Sequence, residues 1–127
     1  MNYGTSITTD LDFDEAVEKT RAALTDQGFG VLTEINVQAT MKAKLDVEVE
    51  PQVILGACNP TLAHQALQIA PDIGLLLPCN VVVRRQGVNT IVSALDPQVM
   101  VTLPDLPALQ AVADDAGSRL RAALQAL

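Results

Sequence analysis

The chain has 127 residues, enough for one domain, residues 1–127, whose core needs no disulfide or metal. Fifteen acidic against 8 basic residues give a net charge of −7, which opposes nucleic-acid phosphates and anionic membrane surfaces. Apolar residues make up 49%, yet only Tyr3, Phe13 and Phe29 are aromatic, so Leu, Val, Ile and Ala must fill the core and few rings remain for base stacking.

Tyr3 to Thr8 alternates Tyr3, Thr5 and Ile7 against Gly4, Ser6 and Thr8, the period of a first strand. Asp12, with Glu15 three residues on, resembles a capping box. Phe13, Ala16, Val17, Thr20 and Leu24 then recur at helical spacing until Gly28 stops the helix, predicted over about 12–27. Val31, Thr33, Ile35 and Val37 fall on one face of a second strand, with Leu32, Glu34 and Asn36 on the other.

A short helix is expected over Gln38–Leu45, and Pro51 opens a third strand, Val53–Cys58. Asn59 and Pro60 suit the cap and first turn of another helix, whose apolar stripe of Leu62, Ala66 and Ala70 ends at Pro71. Leu75 to Val83 reads as extended and apolar, interrupted at Pro78. Gln86-Gly87 turns Val81–Val83 back into Ile91–Leu95 as a hairpin. Met100–Leu103 reads as a further short extended piece, and Pro104–Pro107 leads into a closing helix carrying Leu109, Val112, Ala116, Leu120 and Leu124.

The order is β-α-β-α-β-α-β-β-α. A late hairpin between bracketing helices favours an α+β fold: a mostly antiparallel sheet covered by an N-terminal and a C-terminal helix. No apolar run reaches the ~18 residues of a membrane span. The opening residues Met1-Asn2-Tyr3 show no basic or apolar leader, so we expect a cytoplasmic, unprocessed chain with free thiols and neither membrane nor nucleic-acid partners. The apolar content, with mean hydropathy +0.27, exceeds what one small domain hides. We therefore expect a homodimer, formed through a sheet edge or through Ile73–Leu77.

The only two cysteines sit in an echoed dipeptide: Gly56-Ala57-Cys58-Asn59-Pro60 and Pro78-Cys79-Asn80. Both lie at strand ends beside turn-forming residues. Antiparallel pairing of those strands would bring both thiols to one end of the sheet; parallel pairing would hold them a strand length apart. Several readings follow. Both thiols are buried small hydrophobes and both asparagines tie down turns. Alternatively Cys58, just before a helix start, has a depressed pKa and serves a thiol enzyme or sulfur carrier. Or Cys58 and Cys79 join His64 as a soft-metal set for Cu or Zn, although the 21-residue gap fits no standard zinc module. A pocket independent of the thiols would draw on Glu34 and Asn36, with Lys42 reaching back toward them. The leading expectation is a small-ligand binding or sensing module with its site at Cys58, Asn59, Cys79 and Asn80, joined by Glu34 and Asn36. No phosphate loop is present, since Gly28-Phe29-Gly30 follows a helix and precedes a strand. The cofactor, if any, is unspecified by these motifs.

Glu34–Lys42, Ile54–His64, Ile73–Val83 and Ser93–Pro97, in this order and spacing, resemble the Domain of Unknown Function 302 family of small bacterial and archaeal proteins. The Gly-Ala-Cys-Asn-Pro and Pro-Cys-Asn blocks carry the likeness. It implies a TBP-like α+β fold, usually assembled as a homodimer, and it implies no activity.

Overall fold

The computed structural model describes residues 1–127 and has the α+β architecture expected from the sequence. Five strands, β1 (Gly4–Thr9), β2 (Gly30–Asn36), β3 (Gln52–Cys58), β4 (Cys79–Gln86) and β5 (Asn89–Leu95), form one sheet in the order β1-β5-β4-β3-β2, antiparallel throughout. The first two strands are therefore the two edges, and helix α1 (Phe13–Asp26) spans the sheet between them.

Strand alternation gives the sheet two unlike faces. Val53, Leu55 and Ala57 of β3, Cys79, Val81 and Val83 of β4, and Val92 and Ala94 of β5 are buried on one face. They pack against Ala16, Val17, Ala23 and Leu24 of α1 and Leu120, Ala123 and Leu124 of α5 (Gln110–Gln125). The other face has no helix layer and carries Ile54, Val82, Arg84 and Ser93, all half-buried. Position 56, on this face by strand alternation, is a glycine because Thr33 and Pro78 close over it; a Cβ there would collide with the Thr33 hydroxyl and with the Pro78 ring.

A second apolar cluster lies apart from the sheet. Leu62 and Ala66 of α3 (Pro60–Ile69) meet Ile73, Met100 and Val101 of α4 (Val99–Thr102), Leu109, and Val112, Ala113 and Ala116 of α5. No helix is long and apolar enough to cross a membrane.

Helix α1 ends as its sequence suggests. Gly28 takes φ +85, and the amides of Gly28 and Phe29 donate to the carbonyls of Thr25 and Leu24, closing a Schellman turn. At its start, Asp12 occupies the cap position but its side chain makes no capping bond. The short helix α2 (Val37–Leu45) is present, capped by Asn36.

Three stretches differ from their sequence expectations. Pro71–Leu76 is a 3₁₀ helix that takes in Leu75 and Leu76 of the run expected to be extended, so β4 starts only at Cys79, after a cis Leu77–Pro78 peptide. Val99–Thr102 is helical where an extended piece was expected, because Asp96 accepts the Gln98 amide and starts a turn that the following residues continue. In β2 a bulge between Val31 and Thr33 breaks the alternation: Val31 pairs with Ala57 and Thr33 with Gly56, while Val37 belongs to α2.

Candidate functional site

Because β3 and β4 are antiparallel neighbours, Ala57 pairs with Cys79 and Gly56 with Asn80. Cys58, the last residue of β3, therefore lies diagonally across from Cys79, the first of β4. Both line one crevice at the seam between the two apolar clusters, with Phe29 and Ala57 on the sheet side and Leu62, Met100 and Val112 on the other. Asn59 is the one polar residue of the lining, and its Oδ1 accepts the Leu62 amide at 3.1 Å to cap α3. The crevice measures about 20 Å³, space for one water-sized group.

Cys79 is buried and Cys58 half-buried. Burial pushes the Cys79 thiol up to about 11, and the neighbouring Cys58 adds to the rise. Burial also pushes the Cys58 thiol up. The direction is opposite to the depressed Cys58 pKa that the sequence suggested, because burial desolvates the thiolate. A nucleophilic or sulfur-carrying thiol needs the opposite shift.

The remaining expected residues lie elsewhere. Asn80 follows Cys79 in an extended strand and so emerges on the opposite face, exposed. Glu34 accepts from Arg21 of α1 at 2.8 Å. Asn36 accepts the Ala39 amide at 2.9 Å as the cap of α2, at the end of β3 away from Cys58. Lys42 pairs with Asp46 at 2.8 Å and Glu48 at 2.9 Å rather than reaching Glu34. His64 is exposed on α3 and does not line the crevice, and no three His, Cys, Asp or Glu side chains converge to hold a metal.

A much larger cavity, about 490 Å³, opens on the uncovered sheet face. Its lining crosses four strands: Tyr3 and Ser6 from β1 and the residues before it, Ser93 from β5, Asn80, Val82 and Arg84 from β4, and Gln52 from β3. Strand register explains the assembly. Val82 pairs with Ser93, which pairs with Ser6, and the two hydroxyls share a hydrogen bond of 2.6 Å. Asn80 and Arg84 flank Val82 on the same side of β4, and Gln52 stands opposite Arg84. Arg84 donates to Gln86 Oε1 at 2.7 Å and has no carboxylate partner. Sequence reasoning missed Arg84, Ser6 and Tyr3 as a group. The available signal was parity along β4, since residues 80, 82 and 84 share a face.

A five-stranded antiparallel sheet with two helices on one face, a small thiol-lined seam and an open polar groove define a small α+β domain. The profile of the family described as Domain of unknown function DUF302 matches residues 5–127, and the chain belongs to that family. A crystal structure of an uncharacterized conserved DUF302 protein from Bacillus stearothermophilus superposes with a TM-score of 0.92 at 29% identity, covering 99% of this chain and 98% of that one. No curated protein matches the chain.

Proposed function

We propose that this protein is a homodimeric module that binds a small amphipathic organic anion in the groove on the uncovered sheet face. Arg84 carries the proposal. Of the eight basic residues Lys19, Arg21, Lys42 and Arg119 each hold a carboxylate; Arg84 is among the four that do not and is the one that lines the groove, where its guanidinium meets the Gln86 amide. It lines a cavity of about 490 Å³, within the ~300–1,000 Å³ range of small-molecule sites. A carboxylate or sulfonate pairs with Arg84, an apolar body lies over Val82 and against Tyr3, and a polar end reaches Asn80 or the Ser6–Ser93 hydroxyls.

The crevice at Cys58, Asn59 and Cys79 supports ligand binding less well, because about 20 Å³ admits no organic molecule. Of the residues first expected at the site, Asn80 is the one that this reading retains.

The homodimer draws on a different part of the chain. No residue from Gly30 to Glu50 is buried, although this stretch forms β2 and α2. A nine-residue helix is marginal without tertiary packing, and Leu32 and Ile35 of the neighbouring edge strand stand 67% and 49% exposed. A second copy covering this arm supplies the missing contacts. The other expected contact, Ile73–Leu77, is folded against the second cluster at Ile73, leaving Leu75 as its exposed member.

The fluorescent anion 8-anilinonaphthalene-1-sulfonate tests the groove. The expected result is saturable binding that Arg84→Gln weakens roughly tenfold, the worth of one charge-assisted hydrogen bond. Equal affinity in Arg84→Gln would retire the groove. Light scattering at micromolar concentration should report a dimer that Ile35→Lys converts to monomer; a monomeric parent protein would remove the assembly.

A further inference from the structure

We propose that the seam crevice is a binding site for one soft monovalent metal ion, Cu(I), held by the sulfurs of Cys58, Cys79 and Met100. This site is separate from the groove and rests on none of the residues argued there.

Three elements distant in sequence bring the sulfur residues together. Cys58 ends β3, Cys79 begins β4 and Met100 lies in α4, yet all three line the same small cavity. They are both of the chain's cysteines and one of its three methionines. Met100 is 2% exposed and Cys79 6%, while half-buried Cys58 gives the approach from solvent.

The chemistry of the lining selects the ion. Thiolate and thioether are soft donors that favour Cu(I). Mg(II) and Ca(II) require a shell of oxygens, and the crevice offers no carboxylate or hydroxyl. Zn(II) in a closed site takes four nitrogen or thiolate donors. Here the remaining polar group is the Asn59 amide, already committed through Oδ1 to the Leu62 amide. The expected histidine partner is replaced by a thioether, since His64 is exposed and is not among the residues that line the crevice. A cavity of about 20 Å³ fits one ion with no room for its hydration shell.

Binding is an exchange without redox change. Cu(I) enters, two S–H bonds break, two Cu–thiolate bonds and one Cu–thioether bond form, and two protons leave to solvent. The net charge of the filled site is −1, located beside the N-terminus of α3, where negative charge is favoured.

The test is anaerobic titration of the whole chain with Cu(I), in competition with bathocuproine disulfonate, a chromophoric Cu(I) chelator. One Cu(I) per chain is expected, with X-ray absorption showing a shell of three sulfurs. Met100→Leu keeps the side-chain volume and should weaken binding at least about tenfold, the loss typical of a disturbed metal shell. His64→Gln should leave affinity unchanged, and Cys58→Ala should abolish retention. Complete retention of the ion by the chelator, a nitrogen or oxygen scatterer in the shell, or equal affinity in Met100→Leu would each overturn the site. Binding of anilinonaphthalene sulfonate reads the groove independently, so either site can fail alone.

Discussion

Cys79 and Asn80 are adjacent in β4, yet they serve opposite surfaces of the sheet. Cys79 joins the apolar core under α1 and α5; Asn80 lines an open groove with arginine, serine and glutamine around it. The covered face carries the apolar core, and the uncovered face holds polar groups open to solvent. A dipeptide read as one functional unit is divided by the strand period into a packing residue and a surface residue.

The sharpest way to break this comparison is to truncate neighbours in β3. Leu55 is fully buried on the helix side, and Leu55→Ala should lose about 3 kcal/mol in urea denaturation. Ile54, one position earlier and on the open face, should lose less than about 1.5 kcal/mol as Ile54→Ala, since it already faces solvent in part. Equal losses would mean that the open face is covered in solution, as a second copy lying over it would produce.

The next effect is in pH. The folded Cys79 thiol titrates near 11, above its ordinary value of 9.0. Its contribution is fully present below pH 9 and falls as pH rises toward 11, because the native state then holds a proton that the unfolded chain releases. At about 1.4 kcal/mol per unit the loss is on the order of 2–3 kcal/mol. Cys79→Ala should flatten the pH dependence relative to the parent, and parallel curves would show Cys79 to be solvated. Iodoacetamide labelling followed by mass spectrometry should find Cys58 modified before Cys79, since half-exposed Cys58 is open to the reagent.

Smaller differences sharpen the picture. Asn59→Ala removes the α3 cap and should cost about 1 kcal/mol by thermal denaturation. Arg84→Gln, on the uncovered face, should stay within about 0.5 kcal/mol of the parent. A large destabilisation there would assign Arg84 to structure rather than to ligand binding.

Local signals recovered most of the elements. Phe13, Ala16, Val17, Thr20 and Leu24 marked α1, Asn59-Pro60 marked the start of α3, and Gln86-Gly87 marked the hairpin. The errors came where tertiary context overrode local preference. Val99-Met100-Val101-Thr102 has strand composition but is held as a helix after the Asp96 turn. The bulge between Val31 and Thr33 adds one residue, and nothing in Val-Leu-Thr signals it.

At the site, convergence of Cys58 and Cys79 followed once antiparallel pairing of their strands was assumed. Met100 was legible only as an apolar residue, because its approach to the crevice depends on how α4 folds back. The groove was hidden for a related reason. Ser6, Ser93, Asn80 and Arg84 are ordinary strand residues individually, and only the order β1-β5-β4-β3 sets them side by side.

That strand order also governs how the molecule is assembled in time. Ser6 finds Ser93 across a sequence separation of 87, so β1 cannot join the sheet until β5 exists. Closing such a distant pair has a high entropic cost, and it slows folding relative to a protein of local contacts. During synthesis the first strand and α1 emerge long before their partners, and α1 must wait with its apolar stripe unshielded. Moving β1 to the far end of the chain by circular permutation would leave only the segment carrying α4 and α5 between it and its partner and should speed refolding while leaving the finished architecture unchanged.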